Sequence, residues 1–203
     1  AAPAPASSPK GDEWPATVNP ATVQLKPGLQ MTAYSLKHSI TSLPDLGEFN
    51  PAAVTTVAAV DFPNLGAFRA RVPSFPSKFA AATWVGVIRI QVAGQYTFYA
   101  QSSDGSRVYV DGFLVVDNGG AHGPQLAQGK AMLGEGLHMF KADWFSNSPS
   151  GGVRVSFSGP GTGNQRVYVQ GYSEVRTSDT TSSSSVVVHH VVHHVYAHPT
   201  APS

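Results

Sequence analysis

The segment Arg107 to Val116 reads RVYV, then Asp111-Gly112, then FLVV, and it restricts the fold more than any other stretch. β-branched and aromatic runs flank a two-residue break. A type I′ turn needs positive φ at both central positions, and Asp followed by Gly tolerates this best. A tight hairpin is therefore predicted. The rest of the chain from Leu25 to Tyr172 repeats the pattern of short apolar runs between turn residues. Leu29 to Leu36 and Val54 to Phe62 read as strands. Trp84 to Val92 reads as another, and Gln95 to Gln101 as the second arm of its hairpin across Ala93-Gly94. Leu137 to Phe145 and Val153 to Phe157 come next. In the latter, Val153, Val155 and Phe157 fall on one face and Arg154 and Ser156 on the other. Gly159-Pro160-Gly161 closes that run, and Val167 to Val169 reads as the last strand. Nothing before residue 185 has the period of a three-turn helix, and no internal repeat is present. The fold class predicted is all-β: an antiparallel, jelly-roll-like β-sandwich with extended N- and C-terminal segments. Tyr96 and Phe98 are expected on a strand neighbouring that of Val108 and Val110. Trp84, Trp144, Phe145 and Phe157 join them as core candidates.

The 203 residues suit one sandwich with tails. A domain of roughly 150 residues buries about 70% of its unfolded surface, so it folds without staples. The absence of cysteine excludes a disulfide framework and thiol chemistry. A net charge of +1 supplies no basic field, so nucleic acid is not an expected partner. No run approaches the roughly 18 apolar residues of a membrane-spanning helix. Residues 1–24 read as an extended Pro/Ala-rich segment, 25–172 as the sandwich, 173–185 as a polar Ser/Thr linker and 186–203 as a Val/His-rich terminal strand. The opening AAPAPASSPK resembles the first residues of a chain released by signal peptidase, so a secreted or cell-surface location is expected. There is no N-x-Ser/Thr sequon, because Asn147-Ser148 is followed by Pro149. The Ser/Thr/Pro-rich ends are the expected carriers of any O-linked sugar.

Enzyme signatures are missing. The sequence has no G-x-S-x-G, no H-E-x-x-H and no phosphate-binding loop. The four glutamates, Glu13, Glu48, Glu135 and Glu174, stand in no acid/base pairing. A non-enzymatic role is expected. Asp117-Asn118-Gly119-Gly120 leads into a loop near His122 of the kind that lines ligand sites.

The run Trp84 to Gly123 resembles the central motif of the protective-antigen-type domain family. The matching residues are Gly94, Tyr96 and Phe98, then Asp104-Gly105-Ser106-Arg107, then Asp111-Gly112 and Asp117-Asn118. Pro27-Gly28-Leu29 to Tyr34, Gly136-Leu137-His138 and Phe157-Ser158-Gly159-Pro160-Gly161 extend the match in the expected order. The resemblance implies a β-sandwich of the kind found in adhesins, glycosidase accessory regions, toxins and surface proteins. It also implies glycans as partners. In the family's yeast adhesins, calcium held by two adjacent aspartates joined by a cis peptide binds the sugar. The corresponding pair here is Ser103-Asp104, so the first carboxylate is replaced by a hydroxyl. Ser103, Asp104, Asp117 and Asn118 are the candidate ligand or calcium residues. A hard divalent ion prefers carboxylate, so no tightly held calcium is expected at Asp104, and no other cofactor is implied.

The C-terminal VVVHHVVHHVYAH holds five of the eight histidines. As a helix, it pairs His189 with His193 and His190 with His194 at i, i+4, a spacing that chelates zinc or copper. Runs of Val favour the strand reading, since their χ1 is stiff. Val186, Val187, Val188, Val191, Val192, Val195 and Tyr196 then form an assembly strand. The Ser182–Ser185 linker lets it reach a sheet edge on another copy of the chain, building an oligomer or filament. The expected functions are such a self-associating structural module or, alternatively, a calcium-dependent carbohydrate-binding adhesin. The assembly reading predicts that deleting residues 186–203 abolishes oligomers. A truncated protein that elutes from a sizing column in the same assembly as the full chain removes the tail as connector.

Overall fold

The computed structural model describes residues 24–175, with no account of the side chains of Glu174 and Val175. The strands in chain order begin with β1 (Gln24–Pro27), β2 (Leu29–Ser35), β3 (Ala53–Val57) and β4 (Asp61–Phe62). A short helix α1 (Leu65–Arg71) precedes β5 (Ala80–Ile90), β6 (Gly94–Ser103), β7 (Ser106–Val110) and β8 (Phe113–Asn118). The chain continues through β9 (Gln125–Leu133), β10 (Gly136–Ser146), β11 (Gly152–Ser158), β12 (Val167–Tyr168) and β13 (Tyr172–Val175). An eight-stranded sheet runs β1-β13-β5-β10-β7-β8, with β2 beside β5 and β3 beside β2. A five-stranded sheet runs β12-β11-β6-β9, with β4 beside β11. All the pairings are antiparallel. The fold is the β-sandwich predicted.

The Asp111-Gly112 turn forms as expected, with φ of 50° and 80°, and joins Val110 to Phe113 across the β7–β8 hairpin. Asp111 also fixes that hairpin to the next strand. Its Oδ1 accepts the Met139 N–H at 2.8 Å, and its Oδ2 meets His138 Nδ1 at 2.6 Å.

Three strand relationships differ from the sequence reading. β5 and β6 are not a hairpin, because they lie in different sheets. β5 is flanked by β10 on one side and by β2 and β13 on the other, which leaves no free edge for β6. The Ala93-Gly94 link is a crossover, and Tyr96 secures it by donating to the Val92 carbonyl at 2.7 Å and accepting from Gly161 N at 2.9 Å. Tyr96 and Phe98 on β6 therefore do not neighbour Val108 and Val110 in a sheet; the two pairs share one core from opposite layers. The run Val54 to Phe62 is broken, with β3 in one sheet and β4 in the other. Val167 to Val169 is not the final strand. β13 comes after it, taking Ser173 to Val175 from the expected polar linker, because Tyr172 pairs with Val87 and Lys26 with Ser173. β9 and α1 have no counterpart in the sequence reading. QLAQGKAML has no β-branched residue, and α1 is shorter than three turns.

The core is aromatic at its centre. Trp84, Trp144, Phe98 and Phe68 are fully buried. Phe68 enters from α1, whose first turn is capped by Asn64 Oδ1 accepting the Ala67 N–H at 3.1 Å. Its ring stacks on Phe62, Phe75 and Trp144 at centroid distances of 4.2, 4.4 and 4.8 Å. Stacked pairs of this kind add about 0.5–1.5 kcal/mol beyond burial. At one edge the sheets close on each other, where β9 meets β8. A Cβ on Gly129 would lie 1.7 Å from the Val115 carbonyl oxygen, so only glycine allows this approach.

A second, smaller cluster of Tyr34, Leu36, Leu43, Leu46, Ala81 and Phe145 packs outside the main core. Tyr34 is only 2% exposed. Burial first, and the Asp143 charge second, push its phenol from 10.0 up to about 12. A group whose folded pKa is raised gives stability that is complete below the unfolded value and is lost as pH rises through the folded one. Unfolding midpoints in urea are therefore expected to fall between about pH 10 and pH 12, and Tyr34→Phe to flatten that fall. An equally steep fall in the variant would place its origin elsewhere.

Candidate loop site at the end of the sandwich

β6, β8 and β10 all finish at one end of the sandwich, and their connections gather around Asp104. The Ser103–Asp104 peptide is cis. The chain leaves the five-stranded sheet here and enters the other. Trp144 Nε1 donates to the Ser103 carbonyl at 3.2 Å, and the Phe145 N–H to the Gly105 carbonyl at 3.0 Å. Gly105 lies flat against the Phe145 ring and the Gly120 backbone, where a Cβ would come within 2.6 and 2.8 Å of their atoms.

The Asp104 carboxylate, 8% exposed, holds two loops. Its Oδ1 accepts the His122 N–H at 3.1 Å; its Oδ2 accepts the Asn147 N–H at 2.8 Å and the Ser146 hydroxyl at 3.3 Å. Asn147 extends the clasp to a third loop. Its side-chain amide donates to the Ile40 carbonyl and accepts the Ile40 N–H, both at 2.9 Å. His122 folds its own loop closed, with Nδ1 2.7 Å from the Gly123 carbonyl and Nε2 3.0 Å from the Asn118 carbonyl. Beneath them Ser102 Oγ donates to the Asp104 carbonyl at 2.7 Å, accepts Asn118 Nδ2 at 2.9 Å and meets Ser106 Oγ at 2.8 Å.

The residues present do not fit a tight calcium site. Calcium takes 6–8 oxygens. The two oxygens of the Asp104 carboxylate already accept three donors, the Ser103 carbonyl takes the Trp144 N–H, and the Asp104 carbonyl takes the Ser102 hydroxyl. Asn118 Oδ1, buried and without a partner, is a single neutral acceptor. No group of three or more acidic, His or Cys residues that could hold a metal occurs among the described residues.

Of the residues singled out by sequence, Asp104 and Asn118 come together through the Ser102 hydroxyl, Ser103 gives its carbonyl to Trp144, and Asp117 does not join them. It faces the other side of β8, where it is half exposed, bonded to Arg107 Nε at 3.3 Å and to Gly119 N at 2.9 Å. The assembly residues Val186, Val187, Val188, Val191, Val192, Val195 and Tyr196 lie outside the described residues, as do His189, His190, His193 and His194. Sequence reasoning misses Ser146 and Asn147. The stretch Asn147-Ser148-Pro149 reads only as a failed sequon, and nothing local tells that its backbone meets a carboxylate 43 positions earlier.

Fold alone does not set function; the site does, and at this end it offers polar loop groups held in place by one another. Residues 72–169 match the model of the PA14 domain, the protective-antigen-type domain that the sequence resembles. Solved structures agree in fold. The PA14 sugar-binding domain from an RTX adhesin is 19% identical, with a TM-score of 0.59 over 71% of this chain and 95% of that one. The PA14 domain of the MpAFP antifreeze protein is 14% identical, with a TM-score of 0.62 over 81% and 96%. The epithelial adhesin 6 A domain from Candida glabrata, solved with Galb1-3GlcNAc, is 15% identical, with a TM-score of 0.56 over 79% and 92%. No curated protein matches the chain.

Asp104→Ala strands the His122 and Asn147 N–H groups around the space the carboxylate leaves. The expected loss is about 3 kcal/mol, read from urea unfolding, with Asp104→Asn losing less. About 1 mM calcium is expected to leave the wild-type midpoint unchanged. A calcium-dependent rise that vanishes in Asp104→Ala would show that the clasp holds the ion after all.

Proposed function

We propose that this chain is a non-catalytic extracellular module that binds carbohydrate with the loop end built on Asp104, and does so without calcium. The observation that carries the reading is the clasp itself. One buried carboxylate and one side-chain amide tie the loops at Ile40, His122 and Asn147 into a single polar platform. His122, Asn147 and Ser148 are partly exposed there, and Pro149 and Ser150 are exposed. Sugar hydroxyls are met best by donors and acceptors already fixed in place, since little ordering is left to be done on binding. Two proteins of similar fold support the choice of ligand class: one is titled a sugar-binding domain and another was solved with a disaccharide. The same two are adhesin domains, which supports a cell-surface or extracellular setting.

The assembly reading stays with the terminal segment and its truncation test. For the carbohydrate reading, the test is a glycan array probed with the full chain in EDTA and again in calcium. Binding to a neutral glycan is expected in both. Asn147→Ala and His122→Ala are each expected to weaken it by about tenfold, or ~1.4 kcal/mol. Binding that disappears in EDTA would reinstate the ion, and an array with no bound glycan would end the reading.

A further inference from the structure

The outer face of the five-stranded sheet forms a second polar surface, turned away from the core. On β6, Tyr96, Phe98 and Ala100 turn inward, which leaves Thr97, Tyr99 and Gln101 on the outside. On β11 the outward residues are Arg154, Ser156 and Ser158. The register places Gln101 opposite Arg154, and Tyr99 opposite Ser156, which in turn faces Tyr168 on β12. Lys130 on β9 stands opposite Thr97 on the same face. An open groove runs across these rows, lined by Gln101, Arg154, Ser156, Arg166, Tyr168 and Gln170.

Arg166 is the centre of this groove. Its Nε donates to Ser156 Oγ at 2.6 Å, and its guanidinium lies 4.4 Å from the centre of the Tyr99 ring. Two contacts thus fix the plane of the side chain. Among the described residues no carboxylate lies within ion-pair distance of Arg166 or Lys130, whereas Arg154 is paired with Asp61 at 2.9 Å. The two terminal nitrogens of Arg166 form a fork suited to a planar carboxylate or to a sulfate. Tyr168 beside it is 45% exposed, a ring available for stacking on a sugar. Gln101 and Gln170, both exposed, offer amides to hydroxyls.

We propose that this groove binds an acidic polysaccharide, one bearing carboxylate or sulfate groups, with Arg166 receiving the acid and Tyr168 the sugar face. This goes beyond the loop-end reading and does not rest on it. A fixed guanidinium beside an exposed ring is complementary to an anionic sugar chain, whereas a neutral glycan would leave the Arg166 fork unmatched.

The test is electrophoresis of the full chain through gels containing polygalacturonate, dextran sulfate or neutral dextran. Retardation is expected from one or both anionic polymers, falling with salt, and none from dextran. Retardation by polygalacturonate alone assigns the fork to a carboxylate, and by dextran sulfate alone to a sulfate. Arg166→Ala and Tyr168→Ala are each expected to weaken it about fivefold or more, a change of ~1 kcal/mol, with Arg166→Lys retaining part of it. Tyr168 is on a two-residue edge strand, so its variant keeps the test valid if Arg166→Ala proves unstable. His122→Ala is expected to leave retardation unchanged. Equal retardation by dextran, full retention in both groove variants, or loss in His122→Ala would each overturn the proposal, the last by moving the anion to the loop end.

Discussion

The passage of the chain from one sheet to the other at Ser103–Gly105 governs both the fold and the site. Without it, β6 and β7 would continue as partners in one layer, and Tyr96, Phe98, Val108 and Val110 would not face each other across a core. The crossing is held from both sides. Trp144 reaches it from the aromatic core through its indole N–H, and Phe145 holds it through its backbone N–H. The Asp104 side chain meanwhile gathers the neighbouring loops. A carboxylate placed at the point where layers change is within reach of both sheets' connections. The loop platform is thus a consequence of the sandwich's topology.

That placement also explains why a serine is tolerated at position 103. Ser103 contributes its carbonyl to Trp144, a contact indifferent to the side chain. Asp104 accepts backbone N–H groups, which need an oxygen acceptor but no ion. A buried acceptor removed from such a network leaves its donors unmatched, at a cost larger than the bond's own net contribution. The Asp-Gly-Ser-Arg run from Asp104 to Arg107 therefore has a structural reason to exist whether or not a ligand is bound. Gly105 packs against Phe145 and Gly120, Ser106 joins the Ser102 hydroxyl, and Arg107 pairs with Asp117.

Much of the sandwich is legible in the sequence because alternation and turn chemistry act locally. Asp111-Gly112 specifies its hairpin within about ten residues, and Val153, Val155 and Phe157 declare which way β11 faces. Sheet membership is another matter. Nothing between Trp84 and Gln101 says that the chain changes layer at Gly94, because an apolar strand with both edges occupied reads the same as one with a free edge. β9 escapes for a related reason. Its place is set by the glycine that lets Val115 approach, and that contact is invisible to a strand propensity scale. Of the loop site, Asp104 and Asn118 are legible as polar residues in turn contexts. Asn147 is not, since its role depends on a partner loop across the fold.

The loop end and the outer sheet face make different physical demands on a ligand. At the loop end the polar groups are largely consumed in holding one another. A ligand there meets exposed backbone and side-chain edges whose geometry is fixed but whose charge is spent. On the outer face Arg166 is immobilised by an aromatic ring and a hydroxyl, neither of which neutralises it. Positive charge fixed in orientation, and left without a counterion among the described residues, favours an anion over a neutral group, and the preference weakens with salt because the site is open to solvent. The two proposed surfaces thus ask for different sugars, a neutral one at the end and an acidic one on the side, and they share the β6 strand, which ends at Ser103 and carries Tyr99 and Gln101 outward.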